Sequence, residues 1–374
     1  MFKKFNQLFP TVIQNATKFT DSQLLLLIIL AGFCKIKRFS KIEIFSNDVL
    51  VQQQLSLNDS VSDSRLIERL TNMGQSTARK FEQYNLKENK NFLRQVPQKR
   101  ITIDMDSTVK SVYGNQQGAS KGYNDKKRGL KSYHPILAFI SNYKLAFHTW
   151  FRPGNAYTSN GSVEFTKQIL SSIPDNIEKV FFRMDSGFFN NQLIQLIEDH
   201  KQEYLIKVKF KNMYKLFKTL TYYKTDNKHF DAAEINYPFE VEKEDGERVK
   251  IFRLLRVVRK IKSCSIGSFG EQVVEYEYFC YCSNLKGKTT LEIHETYCKR
   301  ADCENWIEQI KNHLLAGSTL CNDFWANDIM WQLSVFAYNL SLKMRMKIKK
   351  YFRQEYNTFR DRFVNVAGQL TASA

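Results

Sequence analysis

Three acidic residues lie where their carboxylates could hold divalent cations. Asp106 shares one face with Asp104 on the segment 100–109, which alternates apolar and polar residues as a β-strand does. Asp185 follows a short apolar strand candidate, at the kind of strand end where α/β sheets place ligands. Glu304 lies in a helical segment. Mg²⁺ prefers oxygen ligands, and two-metal sites stabilise both the attacking and the leaving oxygen of a phosphodiester, so the set indicates phosphodiester chemistry.

Each of these acids also has an ordinary structural explanation. Two carboxylates as close as Asp104 and Asp106 repel each other, so they need either a cation or a Lys or Arg side chain beside them. An aspartate at a strand end, such as Asp185, is a common turn or cap residue. The acids gain functional meaning only when they are considered together.

A second pattern surrounds the glutamate. Tyr297, Arg300, Glu304 and Lys311 are spaced by three, four and seven residues, which places them on one narrow stripe of a regular helix at about 100° per residue. The Tyr, Arg and Lys side chains would then grip the phosphates and bases of a DNA end. A solvated helix face with an Arg300–Glu304 pair is the alternative, and Glu308 is a rival for the acidic role.

The elements that must position these residues change along the chain. Helical spacing dominates the first part, with the apolar run 24–34 as a buried helix and Ser62 or Asp63 as a cap. Alternating strands and helices follow, and then short strands, which predicts a mixed α/β fold. The predicted units are a helical DNA-binding region over 1–95, the first part of a catalytic core over 96–210, a β-rich insertion over 211–290, and the rest of the core with C-terminal helices over 291–374.

Charge indicates a polyanionic partner. The 374 residues include 56 Lys and Arg against 38 Asp and Glu, a formal net charge of +18. The excess is spread along the chain, with local concentrations in the loop 113–131, which holds Lys126, Lys127 and Arg128, and in the stretch 343–353. Either could contact DNA phosphates, and either could be a solvated face.

Composition argues against a membrane or secreted protein. The longest apolar run, 24–34, is far shorter than the roughly 20 residues that cross a bilayer. Seven cysteines without a CxxC pair indicate reduced thiols in a cytosolic protein. A zinc site built from Cys280, Cys282, Cys298 and Cys303 together with His294 is a minor alternative.

With these motifs in order, the sequence resembles the DDE transposases of bacterial insertion sequences. The resemblance is to the branch with the helix signature Y-(2)-R-(3)-E-(6)-K, which Tyr297, Arg300, Glu304 and Lys311 match in full. D-S-T at 106–108 matches the first catalytic motif, and R-M-D-S-G-F at 183–188 matches the second. The segments Y-G-N-Q-Q-G-A-S-K-G-Y-N, S-Y-H-P-I-L-A-F and R-P-G-N resemble one subgroup.

The resemblance implies a fold and a chemistry. The fold is an RNase H-like mixed sheet flanked by helices, with the β-rich insertion between the second Asp and the Glu. Asp106, Asp185 and Glu304 become the catalytic metal ligands for two Mg²⁺ ions, which Mn²⁺ can replace, and Asp104 is a possible auxiliary ligand. The activity is hydrolysis at the transposon ends, followed by attack of the freed 3′-hydroxyl on target DNA.

The resemblance also implies partners. Tyr297, Arg300 and Lys311 become contacts to the element's terminal inverted repeats, inside a homodimer that pairs two ends. A bacterial cytoplasmic, nucleoid-associated location follows. Family members usually continue beyond the point where this sequence stops. A catalytically inactive or truncated DNA-binding relative is therefore one alternative, and a nuclease that only hydrolyses DNA is another.

Overall fold

Four helices lie between residues 21 and 93, as the spacing of this part of the chain predicts. The computed structural model describes residues 5, 7–9, 18–122, 124, 127–208, 213–242, 246–266, 272–318, 321–352 and 354–366. The capping box of Thr20 and Gln23 starts the first helix, and Ser62 caps the fourth, in which Gly74 introduces a kink. The helices are α1 (Asp21–Phe33), α2 (Phe39–Ser46), α3 (Val49–Leu55) and α4 (Asp63–Leu93).

The centre of the molecule is a nine-stranded mixed sheet. With the strands numbered along the chain, their order across this sheet is β6-β5-β1-β7-β8-β12-β11-β10-β9. Its first five strands are β1 (Arg100–Ser107), β5 (Ile136–Ile140), β6 (Leu145–Trp150), β7 (Lys179–Met184) and β8 (Glu203–Lys207). Strand β1 is antiparallel to β5 and parallel to β7, and β7 is parallel to β8. A small second sheet joins β2 (Lys110–Ser111), β4 (Lys131–Tyr133) and β3 (Ser120–Lys121).

The predicted β-rich segment 211–290 does form strands, and these strands extend the central sheet. They are β9 (Tyr223–Lys224), β10 (Asp231–Glu242), β11 (Arg248–Ile266) and β12 (Gln272–Ser283), preceded by helix α7 (Tyr214–Thr219). Strand β12 joins them to the first five strands, because Tyr281 pairs with Lys207 of β8. The division into a separate inserted unit stays a prediction.

Helices cover both faces of the sheet. Helices α5 (Ser162–Ser172) and α6 (Asn191–Asp199) pack on one face, where Ile103 and Phe182 share a core with Phe165 and Ile194. The other face carries α8 (Thr290–Cys298), α9 (Ala301–Glu308) and α10 (Phe324–Lys347), and α11 (Tyr356–Phe363) follows. The N-terminal helices share a hydrophobic core with α10, and the helical DNA-binding region over 1–95 stays a prediction.

The prediction of one regular helix through Tyr297, Arg300, Glu304 and Lys311 is wrong. Helix α8 ends at Cys298, and the Arg300 N–H donates to Tyr297 O, a tight turn that separates α8 from α9. After α9 the backbone widens into a π-helical segment, Gln309–His313, called the π segment below. The tight turn lets the Arg300 side chain lie buried beneath the helices, which a continuous solvated stripe would not allow.

Close backbone contacts explain two glycines in the predicted motifs. A Cβ on Gly154, in R-P-G-N, would overlap the carbonyl oxygens of Ser132 and Ser120. A Cβ on Gly122 would overlap Gly154 O. The loop after β6 therefore packs backbone against backbone on the small sheet.

We expect Gly154→Ala to lower the free energy of unfolding by about 2–4 kcal/mol, because the added methyl group has to displace main-chain atoms of the small sheet. Urea unfolding measures this change. Gly32→Ala is the matched control: its Cβ would lie 3.4 Å from the Leu315 side chain, an ordinary contact, and its effect should stay within about 1 kcal/mol. Equal unfolding midpoints for the two variants would contradict the packing argument.

A buried acid lies between α10 and α4. Asp328 is 1% exposed, accepts a hydrogen bond from Gln332 at 3.3 Å, and has a second oxygen without a hydrogen-bond partner. Burial raises the pKa of Asp328 to about 7. The folded protein thus holds this proton more tightly than the unfolded chain does.

Stability should consequently fall as pH rises from about 4 to about 7, because the unfolded chain releases the Asp328 proton before the folded protein does. Asp328→Asn should flatten this part of the profile. Urea unfolding at pH 5 and pH 7.5 tests it, with the exposed Asp175→Asn as a control that keeps the wild-type slope. An unchanged slope for Asp328→Asn would contradict the assignment.

Within the described residues, no helix is both long and apolar enough to span a bilayer.

Candidate active site

Asp106 lies near the end of β1, on the face that carries α8 and α9. The predicted alternation is confirmed, since Ile103 and Met105 belong to the core on the opposite face. The Asp106 side chain is 12% exposed, and one of its oxygens lies 3.1 Å from Nη2 of Arg300. The same carboxylate accepts the Ser107 backbone N–H at 2.8 Å.

Asp104, on the same face of β1, has an arginine partner. Arg183 donates to both of its oxygens, from Nε at 2.6 Å and from Nη2 at 2.8 Å, and both side chains are nearly fully buried. Arg183 also donates to the Thr296 carbonyl at 2.8 Å, which ties β7 to the end of α8. This is the structural alternative for the neighbouring carboxylates, and the role of Asp104 as an auxiliary ligand stays a prediction.

Asp185 follows β7, the strand beside β1. Its Oδ1 accepts the Gly187 N–H at 2.9 Å and so caps a short 3₁₀ turn, Ser186–Phe188. Since β1 and β7 are parallel neighbours, Asp106 and Asp185 come to the same edge of the sheet. Asp185 thus caps the turn, as the sequence suggested, and also lies beside Asp106.

Glu304 reaches the site from the first turns of α9. Its side chain is 68% exposed, and one of its oxygens lies 3.7 Å from Nη1 of Arg300. Arg300 itself is 6% exposed. A single buried guanidinium therefore lies between the strand acid Asp106 and the helix acid Glu304.

The electrostatics connect all three acids. Burial raises the pKa of Asp106 to about 7; Arg300 opposes this rise, whereas the charges of Asp185 and Glu304 add to it. The carboxylates of Asp106 and Asp185 raise the pKa of Arg300, against its burial. The cluster therefore has more negative charge than Arg300 alone can neutralise.

Tyr297 lies over the same cluster. Burial raises the pKa of its hydroxyl to about 12, with smaller influences from Arg300 and from the three acids. Its ring packs on Tyr281 at a centroid distance of 5.0 Å. Tyr297 is thus held by β12 while its hydroxyl lies within electrostatic range of the acids.

Lys311 is placed differently from the expectation of a shared stripe. From the π segment, its Nζ donates to Thr108 Oγ1 at 3.1 Å and to Val109 O at 3.0 Å. It therefore fastens the chain that follows Asp106. A contact between Lys311 and a DNA end stays a prediction.

Donor chemistry fits a divalent cation at this site. Three carboxylates are the hard oxygen donors that Mg²⁺ prefers, and the charges of Asp185 and Glu304 add to the rise that burial causes in the pKa of Asp106. In the arrangement described, however, no three His, Cys, Asp or Glu side chains lie close enough to share an ion. Arg300 lies between two of the three acids, so binding a metal ion would require this side chain to move.

The zinc alternative has no support in the described residues. Cys280 and Cys282 point into the core on the α5–α6 face, whereas His294 contacts Tyr281 on the opposite face of β12. Cys298 Sγ does lie 3.7 Å from His294 Nε2. The alternation along β12 separates Cys280 and Cys282 from His294, because consecutive side chains alternate between the faces of a strand. Cys303 is buried in the core that α9 shares with α10.

The cations of the loop 113–131 lie at the surface. Lys127 and Arg128 are exposed, and Lys127 lies over the ring of the exposed Tyr113 at 4.8 Å. Lys126 lies outside the described residues. The DNA-binding roles of Lys126, Lys127 and Arg128 stay predictions.

One group near the site was not assigned to it from the sequence. His134 Nε2 lies 3.1 Å from Ser107 Oγ, which in turn lies 3.0 Å from Thr158 Oγ1. These contacts brace the residue next to Asp106. This histidine belongs to the segment S-Y-H-P-I-L-A-F, which is the signal in the sequence that could have identified it.

A model of the family described as transposase DDE domain group 1 matches residues 4–374. The chain belongs to this family. The expected DDE transposase relationship is thereby confirmed, and the branch with the Y-(2)-R-(3)-E-(6)-K signature stays a prediction. No curated protein matches the chain.

Solved transposase structures show weaker likenesses. A piggyBac transposase synaptic complex with hairpin DNA is 12% identical, with a TM-score of 0.48 over 98% of this chain and 78% of that one. A Mos1 strand transfer complex is 10% identical, with a TM-score of 0.19 over 51% of this chain and 59% of that one. These likenesses are too low to add to the family assignment, which rests on the family match.

Proposed function

We propose that this DDE transposase cleaves DNA at the ends of an insertion sequence and joins the 3′-hydroxyl ends to target DNA. The observation that carries the proposal is the position of Arg300, a buried cation that Asp106 and Glu304 contact and whose pKa Asp185 helps to raise. Two sheet strands and one helix thus supply acids to one charged cluster. The letters D, D and E in the family's description match the residue types of this cluster, two aspartates and one glutamate.

We propose Asp106, Asp185 and Glu304 as the ligands of two Mg²⁺ ions, with Mn²⁺ as a substitute. Bound metal would supply positive charge for the oxygens of the scissile phosphodiester. The low exposure of Asp106 keeps water away from its carboxylate, and the Ser107 N–H orients it. Displaced by metal, the Arg300 guanidinium would then be available to a DNA phosphate, which its planar donors suit.

Around this centre we propose Tyr297, Arg300 and Lys311 as contacts to the DNA end. Two of them also have positioning roles. Lys311 keeps the chain after Asp106 in place through Thr108 and Val109, and Tyr297 covers the acids. The remaining parts of the proposal are an RNase H-like core, a homodimer on paired ends, and a location with bacterial DNA in the cytoplasm.

Incubation of the full chain with Mg²⁺ and the inverted repeats flanking its own locus tests the function. Products should appear in two classes, cut ends with free 3′-hydroxyls and joined strands in a target plasmid. Cutting without joining would favour the hydrolytic nuclease, and binding without cutting would favour the inactive relative. Pre-cut ends whose transferred strand carries a 3′-dideoxynucleotide are the control for joining, since they lack the attacking 3′-hydroxyl, whereas pre-cut ends with a free 3′-hydroxyl should join.

A further inference from the structure

A group of four basic side chains lies apart from the acids. We call Lys35, Lys37, His313 and Arg360 the cationic junction, since they come from three separate elements. Lys35 and Lys37 lie in the turn between α1 and α2, His313 ends the π segment, and Arg360 lies on α11. None of the four belongs to the motifs discussed above.

Hydrogen bonds between the three elements fix the junction. Lys37 Nζ donates to the Asn312 carbonyl at 2.7 Å, which ties the turn to the π segment. Tyr356 ties α11 to the other two elements: its hydroxyl donates to Phe33 O at 2.8 Å, and its backbone N–H donates to Gln309 Oε1 at 3.2 Å. The basic groups are therefore held together by the fold.

Several buried nitrogen atoms at the junction have no hydrogen-bond partner among the residues that the structure describes. Arg360 is 5% exposed, yet its Nε and Nη1 atoms are buried without a hydrogen bond, and so is Nδ1 of His313. Nη2 of Arg360 lies 3.3 Å from Asp361, and its guanidinium lies 5.9 Å from the Tyr356 ring. Buried polar groups are normally paired, so unpaired guanidinium donors indicate a missing acceptor.

Charge at the junction is also unbalanced. Burial lowers the pKa of Lys37, and the positive charges of Lys35 and Arg360 lower it further. Burial likewise lowers the pKa of His313; Glu355 opposes this, and the three other members of the junction add to it. An anion would relieve the repulsion and accept the free donors.

We propose that the cationic junction binds one phosphate group of the DNA backbone. The planar guanidinium of Arg360 matches phosphate geometry, and the lysines add point charges. Lys35 and Lys37 line a surface groove of about 660 Å³, so a ligand can approach these two lysines from solvent. The choice of DNA as the source of the phosphate rests on the proposed function.

The junction shares its scaffold with the catalytic centre. In the π segment, Lys311 contacts the chain after Asp106. The next residue, Asn312, accepts a hydrogen bond from Lys37, and His313 is itself a member of the junction. A phosphate bound there would brace the segment that carries Lys311. DNA would thus contact the protein at a fixed point outside the acid cluster.

Fluorescence anisotropy with a labelled 30-bp duplex of arbitrary sequence, measured across KCl concentrations, tests the proposal on the full chain. Lys35→Gln and Arg360→Gln should each weaken binding about tenfold at 0.1 M KCl and reduce the slope of log K against log[KCl] by about one. Lys35 is exposed, so its variant keeps the test valid if Arg360→Gln fails to fold. The matched control Lys167→Gln, exposed on α5, should keep the wild-type slope.

Inorganic phosphate provides the second arm. Millimolar phosphate should raise the melting temperature of the wild type at constant ionic strength and should not raise that of Lys35→Gln or Arg360→Gln. If phosphate stabilises the wild type but both variants keep the wild-type salt slope for DNA binding, the site binds phosphate from a source other than DNA. If neither the salt slopes nor the melting temperatures differ between the wild type and the variants, the proposed site is wrong. Wild-type protein that fails to bind any DNA would refute the proposed function itself, a result distinct from both.

Discussion

Glu304→Gln will reduce DNA cleavage at least about a thousandfold and leave DNA binding within about twofold of the wild type. The substitution keeps the shape of the side chain and removes the charge that the proposed metal site requires. Because the Glu304 side chain is 68% exposed, its loss should not disturb packing. Cleavage rates on a labelled end and anisotropy on the same duplex measure the two effects separately.

Glu308→Gln is the matched control for this prediction. Glu308 is an exposed glutamate one helical turn later, and its carboxylate accepts a hydrogen bond from Asn312. Its variant should cleave at a rate within about threefold of the wild type, since it makes no contact with Arg300. If Glu308→Gln were the inactive variant and Glu304→Gln the active one, the acidic role would belong to Glu308.

The second large effect concerns stability. Arg183→Met should lower the free energy of unfolding by about 3–5 kcal/mol, because it leaves the fully buried Asp104 carboxylate without its partner. Arg183 also binds the Thr296 carbonyl, so the loss should loosen the end of α8 next to Tyr297 and Arg300. Urea unfolding measures the change, and cleavage should fall along with it.

Two controls separate burial from charge removal. The exposed pair Arg65–Glu68 has the same chemistry, and Arg65→Met should cost less than about 1 kcal/mol. The double variant Asp104→Leu/Arg183→Met removes both charges and should recover part of the stability. A small effect of Arg183→Met, equal to that of Arg65→Met, would show that the buried pair does not stabilise the fold.

The sequence predicted those parts of the fold that local patterns determine. Alternation predicted that Asp104 and Asp106 share a face of β1, and the short strand predicted just before Asp185 is β7, Lys179–Met184. Of the two predicted cap candidates, Ser62 and Asp63, Ser62 is the cap. Each of these predictions depends on residues that are close together in the chain, where periodicity and capping act.

Contacts between residues that are far apart in the chain could not be predicted from local patterns. No spacing rule connects Asp104 with Arg183, which is 79 residues away, or Lys311 with Thr108, which is 203 residues away. The break between α8 and α9 has the same origin, because it accompanies the burial of Arg300 against a distant strand. Arg345 belonged to a predicted basic stretch, yet it is 2% exposed and donates to backbone carbonyls.

The candidate site was predicted more completely by residue type than by geometry. The sequence pointed to Asp106, Asp185 and Glu304, and all three influence one cluster in the structure. It did not predict that Arg300 would lie between Asp106 and Glu304. A buried counter-charge cannot be distinguished from a surface arginine by spacing alone.

The central claim is that the three acids bind divalent metal together, and Mn²⁺ binding to the DNA-bound protein tests it most directly. Electron paramagnetic resonance of free Mn²⁺, titrated with the wild type and with Asp106→Asn, Asp185→Asn, Glu304→Gln and Glu308→Gln, gives the number of ions bound. The account predicts about two ions for the wild type and for Glu308→Gln, and weakened or lost binding for the other three. Wild-type binding in all four variants would contradict it.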